Sequence, residues 1–287
     1  MGGGTYCFSS RATRATSLGY DTKSAQEIFT SKSINNAMDP SGIDVRESRD
    51  SEEHPNSLAI VLALDVTGSM GSIPHHLVKE GLPTIMDGII QKGIKDPQML
   101  FLGIGDHECD RAPLQVGQFE SSDELLDKWL TDIYLEGGGG GNDGESYMLA
   151  WHLAANHTSI DCFEKRKEKG YLFTVGDEHT LKELPSHALK KIMGSSQADS
   201  TTAAELLDKA REQYNVYHLH VMEGCNGRRQ DVMDGWKQLM GEDNLILVEK
   251  HRDIPGIVAD IVTKNSDKVE APVSAAADSE SKEEEML

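Results

Sequence analysis

The chain has 287 residues and a mass of 31.5 kDa, which suits one large α/β domain with tails or two small domains. Asp and Glu number 48 against 28 Lys and Arg, a formal net charge of −20; that argues against DNA, RNA or an anionic membrane as a partner and leaves cations and basic partners open. Hydrophobic residues make up 38 %, enough for a core but low enough that part of the chain is expected to lie outside it.

Residues 1–56 are rich in Gly, Ser, Thr, Asn and charge, and "RESRDSEEHPN" (46–56) is almost wholly polar. This composition predicts a flexible N-terminal arm with at most one short helix near Ala25–Thr30. The opening "MGGGTYCFSSRATR" has no apolar signal region, and Tyr6 stands where a myristoylation signal needs Ser or Thr. No apolar run approaches the ~20 residues of a transmembrane helix. Cys7, Cys109, Cys162 and Cys225 are scattered without a C-x-x-C pair, which reads as four reduced thiols in a cytoplasmic protein.

Strands and helices then alternate. "SLAIVLALD" (57–65), "QMLFLGIGD" (98–106) and "GYLFTVGD" (170–177) are continuous apolar runs, as strands buried on both faces require. "LQVGQFE" (114–120) alternates like an edge strand, and "NVYHLHVM" (215–222) and "NLILVEK" (244–250) complete the set. Helical spacing predicts helices over 76–93, 122–134, 145–157, 201–214, 228–241 and 253–265, with Ser122 or Asp123 capping the second. The order predicts an α/β fold: a doubly wound, Rossmann-like, mostly parallel sheet with one antiparallel edge strand and helices on both faces, spanning 57–265. Residues 266–287 carry seven acids against two lysines and read as a disordered acidic tail.

Ligands of open α/β sheets bind beyond the carboxyl ends of the strands. There the first buried strand ends in "LALDVTGSMG", which sets Asp65, Thr67 and Ser69 at spacing two. One carboxylate and two hydroxyls suit a hard cation such as Mg²⁺ better than zinc. Asp177 leaves the third buried strand at the same sheet edge. Between them "LEGGGGGNDGESY" (135–147) opens a helix, with Asn142 and Asp143 after five glycines.

These three elements resemble a von Willebrand factor A domain carrying a metal-ion-dependent adhesion site. "DVTGS" stands for the D-x-S-x-S element, with Thr67 at the first Ser; "GGGGGND" stands for the glycine-rich stretch with its Thr or Asp; "FTVGD" supplies the later Asp. The resemblance implies a Mg²⁺ (or Mn²⁺) ion bound by Thr67 and Ser69, with Asp65 and Asp177 acting largely through water. It places Asn142 at the Thr or Asp position, with Asp143 as the alternative. It implies a binding module and not an enzyme: an Asp or Glu of a partner protein completes the ion's shell. Intracellular members of this family often act as adaptors in assemblies, including with AAA+ ATPases.

The same residues admit other readings. Gly139, Gly141 and Gly144 spell the dinucleotide pattern G-x-G-x-x-G, but a helical segment precedes them where a strand is needed. A Mg²⁺-dependent phosphatase of the haloacid dehalogenase type would use Asp65 as nucleophile and Asp106 and Asp110 of "GDHECD" for the metal. Against it, Thr67 replaces the usual second acid, and the spacing leaves too little chain for the intervening parts. His107, Cys109 and Asp110 invite a zinc reading without a second ligand cluster nearby. His218, His220 and the three tryptophans read as core, and "FEKRKEKG" (163–170) reads as a solvated basic face.

Overall fold

The run Leu58–Asp65 is buried at all eight positions, because helices cover both faces of the sheet at whose centre it lies. The computed structural model describes residues 4–68, 70, 72–137, 142–194 and 199–266. Ser69, the glycines at 138–141 and the acidic tail beyond Ser266 lie outside the described residues. In chain order come helices α1 (Phe8–Leu18) and α2 (Ala25–Ile28) and strands β1 (Arg46–Ser48) and β2 (Leu58–Asp65). Helices α3 (Ser72–His76) and α4 (Leu82–Gln91) follow, joined by a π turn, then β3 (Pro97–Ile104), β4 (Leu114–Val116), α5 (Asp123–Thr131) and α6 (Met148–Asn156). Next are β5 (Thr158–Ile160), α7 (Asp161–Arg166), β6 (Gly170–Gly176), β7 (Glu183–Leu184), α8 (Ser186–Met193) and β8 (Thr201–Thr202). The chain continues through α9 (Ala203–Gln213), β9 (Tyr214–Val221), α10 (Gln230–Met240), β10 (Leu245–Val248) and α11 (Ile254–Ser266).

Six strands form the central sheet in the order β10-β9-β6-β2-β3-β4. All neighbours pair in parallel except β3 and β4, so the antiparallel edge strand stands where its alternating sequence predicts it. Leu64 is in register with Gly103 of β3 and Val175 of β6, so β2, β3 and β6 end side by side. From β2 the chain crosses to β3 on one side and later returns to β6 on the other. That reversal opens a crevice at their carboxyl ends. Helix α4 packs on α11, and α6 packs on α9. Trp151 and Trp236 are buried and meet edge to face at 6.2 Å, while His218 stacks on Trp236 at 3.5 Å, which accounts for these residues as core.

Residues 4–56 differ from the extended arm that their composition predicts. Helix α1 runs for 11 residues and ends at Gly19, whose φ of 69° lets Tyr20 N–H bond back to the Ala15 carbonyl. Arg11 is only 2 % exposed: its Nε lies 2.8 Å from Asp127 Oδ1 of α5, and its guanidinium also donates to the Val78 carbonyl. Arg14 spans Asp127 at 2.9 Å and Asp123 at 2.5 Å. Further on, β1 pairs in parallel with β5, Arg49 meets Asp161 at 2.8 Å, and Arg166 meets Asp50 at 2.8 Å. Arg166 of the basic segment thus holds the arm to the domain. A polar sequence can dock when its charges find buried partners, and composition alone cannot report those partners.

Candidate metal centre

Asp65 is the last residue of β2 and is 1 % exposed. Its Oδ1 accepts two bonds from Thr67, from the backbone N–H at 2.9 Å and from the hydroxyl at 2.6 Å. The chain turns sharply at this point because the carboxylate ties its own loop two residues on. Its Oδ2 accepts from the Tyr147 hydroxyl at 3.0 Å. Tyr147, just before α6, lies so close to β6 that a Cβ on Gly176 would stand 1.8 Å from its hydroxyl oxygen. Burial pushes the Asp65 carboxyl up to about 7, and the nearby charge of Asp177 adds to the rise.

Asp177 follows β6 directly and is 0 % exposed. Its Oδ2 accepts the Asn226 N–H at 2.8 Å, and a Cβ on Gly224 would approach that oxygen to 2.4 Å. Its Oδ1 has no partner among the described residues. Burial raises its pKa as well. Asp65, Thr67 and Asp177 therefore meet at one strand edge.

Asn142 and Asp143 turn elsewhere. The Asn142 amide donates to Glu108 Oε2 at 2.8 Å. Asp143 is exposed and takes a two-point contact from Arg229, at 2.5 and 2.8 Å. Arg229 also reaches Asp231 at 2.6 Å, and His179 Nε2 lies 3.3 Å from the same carboxylate. Asp143, His179 and Asp231 form the one group of His, Cys, Asp or Glu among the described residues with ligand atoms all within 4.8 Å. A guanidinium already occupies it. The carboxylates around Asp65 are spaced more widely than that, so three of them do not grip one ion directly. Hydroxyl oxygens and water are left for an inner shell.

Two further buried acids, Asp106 and Glu145, border the same strand edge. Asp106, two residues beyond β3, is 3 % exposed; its Oδ1 accepts the Glu108 N–H at 2.8 Å, and its Oδ2 has no partner among the described residues. Glu145, at the end of the glycine loop, is 4 % exposed and also has an unpartnered oxygen, Oε2. Burial, and next the charge of Asp65, push the Glu145 carboxyl up to about 10. Asp106 is already marked in the sequence within "GDHECD"; for Glu145 the one signal that could have found it is position, just before a helix bordering the same edge.

This donor set fits a hard cation. Three buried carboxylate oxygens lack donors, the hydroxyl of Thr67 is bonded to Asp65 at the same strand edge, and no ammonium or guanidinium hydrogen-bonds or ion-pairs with Asp65, Asp106, Glu145 or Asp177 among the described residues. The zinc reading of "DHECD" does not form: His107 Nδ1 bonds Ser146 Oγ at 2.7 Å, Cys109 is exposed, and Asp110 Oδ2 accepts the Asp106 N–H at 2.8 Å. For the phosphatase reading, both oxygens of its nucleophile, Asp65, are engaged by Thr67 and Tyr147. A cavity of about 640 Å³ borders Thr67 and Gly68, walled by Phe29 and Lys32 of the arm, His75, and Gly137 at the start of the glycine loop.

No protein-family profile matches the chain, and no curated protein matches it in sequence. A solved structure shares its fold. The pilus adhesin SpaC from Lactobacillus rhamnosus GG, in its open conformation, is similar with a TM-score of 0.50 at 9 % identity, over 75 % of this chain and 31 % of the adhesin. Proximal thread matrix protein 1 from the mussel byssus gives 0.47 at 12 % identity, over 72 % of this chain and 48 % of that one. BatB from Bacteroides thetaiotaomicron gives 0.43 at 13 % identity, over 73 % of this chain and 99 % of BatB. The chain spans about a third of the adhesin's length. The likeness is one of fold: a mixed α/β, von Willebrand factor A-like architecture around a mostly parallel sheet. No helix among the described residues is long and apolar enough to cross a membrane.

Proposed function

We propose that this chain is a metal-dependent protein-binding module whose divalent cation, Mg²⁺ or Mn²⁺, is completed by an acidic residue of a partner protein. The observation that carries the reading is the meeting of Asp65, Thr67 and Asp177 at adjacent strand ends, buried, with Asp177 Oδ1 unpartnered and an open cavity beside Thr67. Thr67 and Ser69 would hold the ion through their hydroxyl oxygens. Thr67 donates its proton to Asp65, which leaves its lone pairs free for a cation. Asp65 and Asp177 would act through water, each fixed in place by a donor of its own: Tyr147 for Asp65 and the Asn226 backbone for Asp177. Asn142, the position the family pattern favours, would have to leave Glu108 to reach the ion.

When bound, the ion supplies a local positive charge that takes a carboxylate as a charge-assisted contact. On a chain of net charge −20, an acidic partner is otherwise repelled, so binding should depend wholly on the ion. The reading extends to a cytoplasmic adaptor in a multiprotein assembly, such as one built on an AAA+ ATPase, and this extension rests on family resemblance. A pull-down from lysate with and without EDTA tests the core of the proposal. A partner retained at equal yield after chelation would sink it.

A further inference from the structure

The glycine loop delivers a different residue to the crevice from the one its motif suggests. Glu145 is buried, and its Oε2 has no hydrogen-bond donor among the described residues. An orphaned carboxylate oxygen is costly inside a protein, and it persists where something other than the chain satisfies it. The backbone fixes where Glu145 stands. Its N–H donates to the His179 carbonyl at 2.8 Å, and its carbonyl accepts the Leu181 N–H at 2.9 Å, which ties it to the segment following Asp177. The N–H of Ser146, next in the chain, donates to the Gly105 carbonyl at 3.2 Å, which ties the same turn to the end of β3. Glu145 is therefore clamped between the strand ends that carry Asp106 and Asp177. Of the charges around it, Asp65 acts on it most strongly. The Asn142 amide nitrogen is held by Glu108 and the Asp143 carboxylate by Arg229, and neither residue has a buried orphaned oxygen.

We infer that Glu145 is the residue by which the glycine loop serves the cation, its carboxylate facing the ion's shell beside Asp65, in the role the motif gives to Asn142. This assignment rests on the cation-site reading proposed above. Its consequence is that the chain holds the ion before any partner arrives, because a further negative charge borders the ion's shell beside the water-mediated contacts of Asp65 and Asp177.

The test is calorimetric titration of Mn²⁺ into the full chain and into four variants: Glu145→Gln, Glu145→Asp, Asn142→Ala and Asp65→Ala. Glu145→Gln should weaken Mn²⁺ binding by about tenfold or more, the scale of lost partners around metal ligands, with an unchanged far-UV circular dichroism spectrum. Glu145→Asp, which keeps the charge at shorter reach, should fall between Glu145→Gln and wild type, and Asn142→Ala should stay within about twofold of wild type. Wild-type affinity in both Glu145 variants, with binding lost in Asp65→Ala, overturns this inference and leaves the cation site standing. A wild-type chain that takes up no Mn²⁺ overturns the site and the inference together. If Glu145→Gln unfolds, wild-type affinity in Glu145→Asp together with a tenfold loss in Asn142→Ala returns the role to Asn142.

Discussion

Tyr147 donates its hydroxyl proton to Asp65 Oδ2 across 3.0 Å, and both groups are buried. One oxygen of Asp65 holds Thr67 and the other is held by Tyr147, so the plane of the carboxylate is fixed before any ion binds. The substitution Tyr147→Phe keeps the ring and removes the donor. It should destabilise the chain by about 1–3 kcal/mol, the cost of leaving a buried acceptor without its partner. Urea denaturation in EDTA checks this; an unchanged midpoint would show that Asp65 does not depend on the phenol.

Asp65→Ala should abolish binding of Mg²⁺ and Mn²⁺ while the fold persists. The fold survives because the substitution also removes a carboxyl that burial disfavours when charged. Titration calorimetry paired with circular dichroism separates loss of the site from loss of structure. Wild-type affinity in this variant would place the cation elsewhere.

The ion-free chain should lose stability as pH rises from 7 to 9. The Glu145 carboxyl is raised to about 10 in the folded chain and that of Asp65 to about 7, both above their unfolded values. The folded state therefore binds more protons than the unfolded chain; the Asp65 contribution is largely lost by pH 7, and that of Glu145 goes on falling across the whole window. Buried His218 and His220 titrate in the opposite sense, below their usual value, so their effect falls at lower pH; the Cys7 thiol, lowered to about 7 by its serine hydrogen bonds, opposes the slope in this window and is replaced by Ser for the measurement. Each carboxyl contributes at most about 1.4 kcal/mol per pH unit. Unfolding midpoints at pH 7 and pH 9 in EDTA measure the slope. Added Mg²⁺ should flatten it, because a cation favours the charged carboxylates.

Arg11→Ala should release the arm. The change leaves Asp127 buried with only Arg14 for a partner, and breaking a buried pair costs about 3 kcal/mol. Limited proteolysis should then cut near Arg14 at a trypsin concentration that spares the wild-type chain. Equal resistance would show that α1 is held by other contacts.

The parts of the fold that were legible in the sequence are those encoded locally. The runs 57–65, 98–106 and 170–177 can be satisfied only by strands covered on both faces, and they became the three central strands. Thr67 was legible beside Asp65 because residues two apart in a tight turn meet whatever the rest of the chain does. The glycine loop was legible as a close approach to the site, while its working end was not. Asn142 stands in the motif position, and its amide nonetheless finds Glu108.

What the sequence determined by itself is the central sheet, most of its covering helices and the Asp65–Thr67 turn after the first buried strand, since periodicity and short spacing act within a few residues. Only the tertiary structure decided that Arg11 and Asp127 hold the arm in place, and that Asp106 and Glu145 lose their water beside Asp65. The reason is physical. A charge in a polar stretch reads the same whether it ends in solvent or in a pocket, and its energy is set by neighbours far along the chain that only folding brings near.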